Sequence, residues 1–158
     1  ALSSAASDVY KRQIQKRVII AVDFDGTIVE HKYPAIGKEI PLATVTLRQL
    51  IKDGHKLILW TVRENELLDD AVKWCEERGI HFYAVNQDID EDAKDHQGLH
   101  CFSRKPKAHI FIDDRNVGGL PDWGTIYQLI SRKMTLENYL KSQSHEECKP
   151  TKKSWWPF

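Results

Sequence analysis

The chain has 158 residues, of which 41% are hydrophobic and 29% are charged, a composition typical of one globular domain. Its 23 basic and 23 acidic side chains cancel, which argues against a broad nucleic-acid surface, although a local basic patch stays open. No apolar run reaches the length of about 18 residues that a membrane span requires.

The two ends of the chain differ in composition from its centre. Residues 1–16 are small and polar and lack the apolar segment of a signal peptide, so we interpret them as a disordered or expression-derived leader. Residues 142–158 form a polar, lysine-rich C-terminal tail. The sequence therefore predicts a single domain over residues 17–141.

The cysteines are odd in number and widely spaced, at Cys75, Cys101 and Cys148. This pattern has neither the pairing of a disulfide framework nor the spacing of a metal site. Reduced thiols are typical of the cytoplasm, which is the compartment we expect.

Four apolar runs rich in β-branched and aromatic residues predict strands. They cover Val18–Phe24, Lys56–Val62, His81–Asn86 and Ala108–Asp113. Each run is nearly continuous rather than alternating, so both faces of each strand are expected to be covered.

Helical patterns separate or follow these runs. Pro41 is placed at the first position of the first helix, and Gly54 ends that helix. The apolar stripes cover Leu42–Ile51, Leu67–Cys75, Trp123–Ile130 and, for a short fourth helix, Leu136–Leu140. Alternating strands and helices predict βαβ units with right-handed crossovers. The expected fold is a Rossmann-like three-layer α/β/α domain with a central parallel sheet.

Two segments are longer than a minimal crossover requires. Thr27–Ile40, which contains Pro34 and Gly37, is either a hairpin or a folded loop over the site. Gln87–Lys105 is polar and acidic and is interpreted as a surface excursion.

Polar side chains follow three of the predicted strands. Asp23 and Asp25 end the first, Thr61 and Arg63 the second, and Asp113 and Asp114 the fourth, with Lys105 shortly upstream of the fourth. The carboxyl ends of parallel strands share one edge, so these groups are expected to meet in one crevice. Crowded carboxylates suit a Mg²⁺ ion, and a lysine and a hydroxyl suit phosphate oxygens. The pattern favours phosphoryl transfer with an aspartate nucleophile.

Taken singly, these features have ordinary structural explanations. An Asp-x-Asp-Gly run alone is most often a turn, because Asp and Gly dominate turns. A calcium loop is excluded, since the glycine comes too early and Pro34 occupies the position of the bidentate glutamate. Arg63 and Arg115 are each either a phosphate contact or a scaffold ion pair.

Together, the strand ends resemble the four motifs of the haloacid dehalogenase superfamily of phosphohydrolases. The matching residues are Asp23–Thr27, Thr61, Lys105 (with Lys107 as the alternative lysine) and Asp113-Asp114. The resemblance covers Val18 to Leu140, and the chain is similar to small uncharacterised bacterial and phage hydrolases of that superfamily.

This resemblance implies a role for each residue. Asp23 would attack phosphorus and carry an aspartyl-phosphate, while Asp25 would protonate the leaving alcohol and then activate water. Thr61 and Lys105 would hold phosphate oxygens, with Arg63 as an additional contact. Mg²⁺ would be bound by Asp23, the backbone carbonyl of Asp25, Asp113 and, directly or through water, Asp114.

Members of the superfamily usually select substrates with a cap domain, and neither gap between motifs has room for one. An open site suits a bulky substrate or closure by a neighbouring subunit, so a homo-oligomer is an open alternative. The expected substrate is a small phosphorylated metabolite, such as a nucleotide or sugar phosphate, or less favourably a nucleic-acid end. A phosphate-binding regulatory module and a phosphomutase are the alternative functions.

Overall fold

In a computed structural model, residues 17–87 and 105–147 are described, and they form a parallel sheet with flanking helices. The strands are β1 (Ile19–Val22), β2 (Lys56–Leu59), β3 (Ala84–Val85) and β4 (Ile110–Ile112). The helices are α1 (Ala43–Lys52), α2 (Asn65–Glu76), α3 (Trp123–Arg132) and α4 (Leu136–Glu147). The sheet order is β3-β2-β1-β4.

The central position of β1 determines where the site lies. Ile20 of β1 pairs in parallel with Leu57 of β2 and with Ile110 of β4. The carboxyl ends of these strands therefore lie side by side. The predicted Rossmann-like α/β fold with a central parallel sheet is confirmed, and no separate cap domain is present in the described ranges.

Both faces of the central strands are buried, as the continuous apolar runs predicted. Ile20 and Leu57 belong to the core cluster that includes residues of α1, α2 and α3. Ala21 and Ile58, which alternate with them and so face the other way, are 1% and 0% exposed. The strands therefore form a rigid support for the residues that follow them.

The predicted start of α1 was wrong by two residues. Leu42 adopts a left-handed conformation (φ 67°), and the helix begins at Ala43 rather than at Pro41. Leu42 has no side-chain acceptor for the first turn. Glu39 supplies the missing acceptor from outside the helix, because its Oε1 accepts hydrogen bonds from the backbone N–H and the hydroxyl of Thr44.

Other boundaries also differ from the prediction. The paired strands are shorter than the apolar runs at their ends, and α4 continues to Glu147, past residue 141. The predicted leader, the excursion over residues 88–104 and residues 148–158 of the tail lie outside the described residues. In the described part of the chain, no helix combines the length and apolar character needed to cross a bilayer.

The segment over residues 27–40, called the site loop below, folds back on itself. An antiparallel bridge joins Val29 to Glu39. Where the two arms cross, a Cβ added at Gly37 would lie 1.9 Å from the carbonyl oxygen of Glu30, so only glycine fits. The loop therefore has a defined hairpin-like path between β1 and α1.

Candidate active site

Three carboxylates meet at the carboxyl edge of the sheet. Asp23 follows β1, and Asp113 and Asp114 follow β4. The backbone N–H of Asp23 donates to the carbonyl of Ile112 at 3.0 Å and so extends the pairing of the two strands. As a result, one side-chain oxygen from each acid lies within 4.8 Å of the others.

The position of Asp114 depends on two neighbours in the first motif. Its backbone N–H donates to the Thr27 hydroxyl at 3.0 Å, and Thr27 is fully buried. Gly26 has a φ of +87°, and a Cβ added there would lie 2.3 Å from Asp114 Oδ2. Asp114 Oδ1 is buried, and the described part of the chain offers it no hydrogen-bond donor.

Burial and mutual repulsion raise the pKa of Asp23 to about 6. Loss of solvent around the carboxylate is the main cause, and the charges of Asp113, Asp114 and Asp25 add to it. A backbone hydrogen bond from Phe24 acts in the opposite direction. A cation between the acids would favour the ionised form, and so the group is chemically suited to hold one.

Asp25, which follows β1 two residues after Asp23, forms a buried ion pair with Arg63. Arg63 Nε and Nη2 donate to the two Asp25 oxygens at 2.6 and 2.7 Å, and the arginine side chain is 0% exposed. The same guanidinium donates to the carbonyls of Pro34 and Ala35 at 3.0 and 2.9 Å. Of the two roles open for Arg63, the structure therefore shows the scaffold ion pair. Four of its N–H groups are directed to protein acceptors, and its phosphate contact stays a prediction.

Thr61 is held in place by Asn86, a residue that the sequence reasoning missed. The backbone N–H of Thr61 donates to Asn86 Oδ1 at 2.8 Å, and Asn86 Nδ2 lies 3.5 Å from the Arg63 carbonyl oxygen. Asn86 ends the third apolar run, just after β3. A polar residue at that strand end was the available signal.

A cavity of about 240 Å³ lies over the acids. Its lining residues are Asp23, Asp25, Trp60, Thr61, Val62, Asn86, Asp113 and Arg115. Lys105 is exposed, and its Nζ lies 4.9 Å from the centroid of the Phe111 ring rather than among the lining residues. Its phosphate contact, and the choice between it and Lys107, stay predictions.

The fold and the site have a counterpart among solved structures. The chain is 59% identical to a conserved protein from Bacteroides thetaiotaomicron, with a TM-score of 0.71 over 78% of this chain and 98% of that one. The chain belongs to the family of that protein. No family model and no curated protein matches the chain. The Bacteroides protein is described only as conserved, so membership of its family assigns no reaction to this chain.

The close approach of Gly26 to Asp114 in this family member predicts a position-specific effect of Gly26→Ala. The new Cβ would displace the Asp114 carboxylate and add strain at a positive φ, so we expect lower stability and a lower affinity of the three acids for a cation, with Mg²⁺ as the probe. Gly118→Ala is the matched control, since Gly118 has a φ of +99° with nothing within 4 Å of the added Cβ. Calorimetric Mg²⁺ titration of both variants measures the effect, and equal affinities would contradict it.

Removing the buried arginine is expected to be costly. Arg63→Met would leave the Asp25 carboxylate buried without its partner, and we expect the free energy of unfolding to fall by about 3–5 kcal/mol. Lys141→Met, which removes an ion pair to Glu137 whose side chains are 65% and 74% exposed, should cost less than about 1 kcal/mol. Urea unfolding of both variants gives the comparison. A loss at Arg63 no larger than that at Lys141 would show that the buried pair contributes little.

Proposed function

We propose that the chain is a Mg²⁺-dependent phosphomonoester hydrolase that works through an aspartyl-phosphate on Asp23. The observation that carries the proposal is the cluster of Asp23, Asp113 and Asp114 at the carboxyl edge of the sheet. Two of these acids, Asp23 and Asp113, line the same small cavity as Thr61. Ligands of parallel α/β sheets bind at this edge. The resemblance of the four motifs to the haloacid dehalogenase phosphohydrolases supports the same reaction.

The residues present fit a Mg²⁺ ion. Asp23, Asp113 and Asp114 offer hard oxygen donors, and the buried Oδ1 of Asp114 has no hydrogen-bond partner in the described part of the chain. The backbone carbonyl of Asp25 is the fourth proposed ligand. When bound, the ion offsets the charge of the acids and polarises a phosphoryl oxygen.

The proposed chemistry divides the two acids of the first motif. A carboxylate oxygen of Asp23 attacks phosphorus, the ester P–O bond breaks, and Asp25 is proposed to give a proton to the leaving alcohol. Water then attacks the aspartyl-phosphate and passes a proton to Asp25, which restores both acids and releases inorganic phosphate. The Thr61 hydroxyl and Lys105 are proposed to hold the phosphate oxygens.

The substrate is proposed to be a small phosphorylated metabolite rather than a nucleic-acid end, because the net charge is zero. The proposed compartment is the cytoplasm. The Cys75 thiol is free and buried in the core, where burial raises its pKa to about 12. A free thiol is typical of that compartment. Closure of the site by a second copy stays part of the proposal.

One observation favours a second candidate, a phosphate-binding regulatory module with little turnover. Both oxygens of Asp25 accept hydrogen bonds from Arg63, so proton donation to a leaving group requires that one of these bonds be released. Turnover of a phosphate ester therefore decides between the two candidates.

Asp23→Asn tests the nucleophile. We expect phosphate release from a panel of nucleotides and sugar phosphates to fall by at least about a thousandfold, because the amide oxygen is a poor nucleophile. Asp70→Asn, at an exposed position of α2, should leave the rate unchanged. Circular dichroism checks that both variants fold. Turnover by Asp23→Asn at the wild-type rate would overturn the mechanism.

The raised pKa of Asp23 predicts how Mg²⁺ stabilises the protein at different pH values. Without the ion, Asp23 favours the folded state while protonated, and this contribution is lost as the pH rises through its folded pKa of about 6. Mg²⁺ binds the ionised form, so the rise in Tm on adding Mg²⁺ should be larger at about pH 7.5 than at about pH 5. Thermal unfolding with and without Mg²⁺ measures this. An equal rise at both pH values would count against Asp23 as a ligand.

A further inference from the structure

We propose that Tyr33 is a specificity-determining residue that stacks on the alcohol portion of the substrate and selects phosphomonoesters with a planar ring. The inference rests on the proposed hydrolase function and adds a substrate class to it. Tyr33 lies beside loop carbonyls that accept from Arg63, its ring contacts the Arg63 guanidinium, and about half of its surface is open to solvent.

The backbone next to Tyr33 is held beside the proposed proton donor. Arg63 donates to the carbonyls of Pro34 and Ala35 with the same guanidinium that binds both oxygens of Asp25. The tip of the site loop and the Asp25 carboxylate therefore contact the same guanidinium group. Because Asp25 protonates the departing alcohol, this is the side on which the alcohol leaves.

The ring of Tyr33 lies against a fixed cation. Its centroid is 5.5 Å from Arg63 Cζ, and the Phe24 ring lies 5.1 Å from the same carbon. Arg63 is fully buried and held by four hydrogen bonds to Asp25 and the loop carbonyls. Tyr33 nevertheless stays 51% exposed, so ring surface remains available for a ligand.

A pre-positioned and half-exposed ring is suited to stacking. Aromatic rings gain from offset or edge contacts with other rings, and a fixed support reduces the entropy lost when the ligand is ordered. Trp60 and Val62 line the cavity over the acids, and Val62 is 68% exposed. A ring on the alcohol therefore meets apolar surface near the acids, whereas a small polar alcohol gains nothing there.

Tyr83 provides a matched control. It is 46% exposed, and Lys56 Nζ lies 4.0 Å from its ring centroid, so its exposure and its cationic neighbour resemble those of Tyr33. Tyr83 precedes β3 and Lys56 begins β2, which places the pair at the amino edge of the sheet, opposite the acids.

The experiment compares Tyr33→Ala and Tyr83→Ala in the full chain with Mg²⁺, using benzyl phosphate and cyclohexylmethyl phosphate. The two esters have similar size and leaving alcohols of similar acidity, and they differ in planarity. We expect Tyr33→Ala to lower kcat/KM for benzyl phosphate about tenfold, mainly through KM, and to change it for the cyclohexyl ester less than about twofold. Tyr83→Ala should leave both values unchanged, and Tyr33→Phe, which retains the ring, should retain the preference for benzyl phosphate. An equal loss for both esters, or no loss, would overturn the inference.

A binding measurement separates this inference from the hydrolase itself. The Asp23→Asn background does not depend on turnover, and calorimetry gives the affinity of both esters with and without Tyr33→Ala. If the wild type hydrolyses both esters but their ratio ignores Tyr33, the inference fails and the proposed function stands. If neither ester turns over but the Tyr33-dependent preference appears in binding, the proposed function fails and the inference stands. Absence of both activity and binding overturns both.

Discussion

The ion pair between Arg63 and Asp25 is the constraint on which the site depends. Two buried charges are costly to remove from water, and their attraction offsets that cost only when every donor and acceptor is well placed. Here the guanidinium binds both carboxylate oxygens and two loop carbonyls at 2.6–3.0 Å. The pair consequently joins the end of β1, the segment after β2 and the tip of the site loop at one buried point.

The packed helices support the same site from below. Trp123 of α3 is 1% exposed, and its indole N–H donates to the Thr27 carbonyl at 3.0 Å. The hydroxyl of Thr27 in turn accepts from the backbone of Asp114. The repelling carboxylates are therefore held together by the core, because moving Asp114 outward would disturb a hydrogen-bond chain that ends in a buried tryptophan.

Features that depend on one stretch of chain were predictable from the sequence. Apolar runs that end in acids place Asp23 and Asp113 at one edge, because strand direction alone determines which ends meet. The roles of Arg63 and Asn86 were not predictable in this way, since each depends on atoms that are distant in the chain. The prediction of where α1 begins was wrong for a similar reason. Glu39 supplies the first-turn acceptor from outside the helix, and the presence of Pro41 does not indicate this contact. The need for glycine at position 26 follows from the nearby Asp114 carboxylate, which is distant in the sequence.

In the site loop, the residues that fix the backbone path differ from the side chains that are exposed at its surface. Its backbone is constrained at Gly37, which has no space for a side chain, and at the carbonyls of Pro34 and Ala35, which accept from Arg63. Side chains between these anchors and β1, such as His31 and Lys32, are exposed and take no part in holding that path. Mutations at these exposed positions can change the surface that contacts a ligand with little effect on the stability of the fold. A small domain of this kind can in this way acquire new ligand preferences by exchanging a few surface residues, with no insertion of a domain.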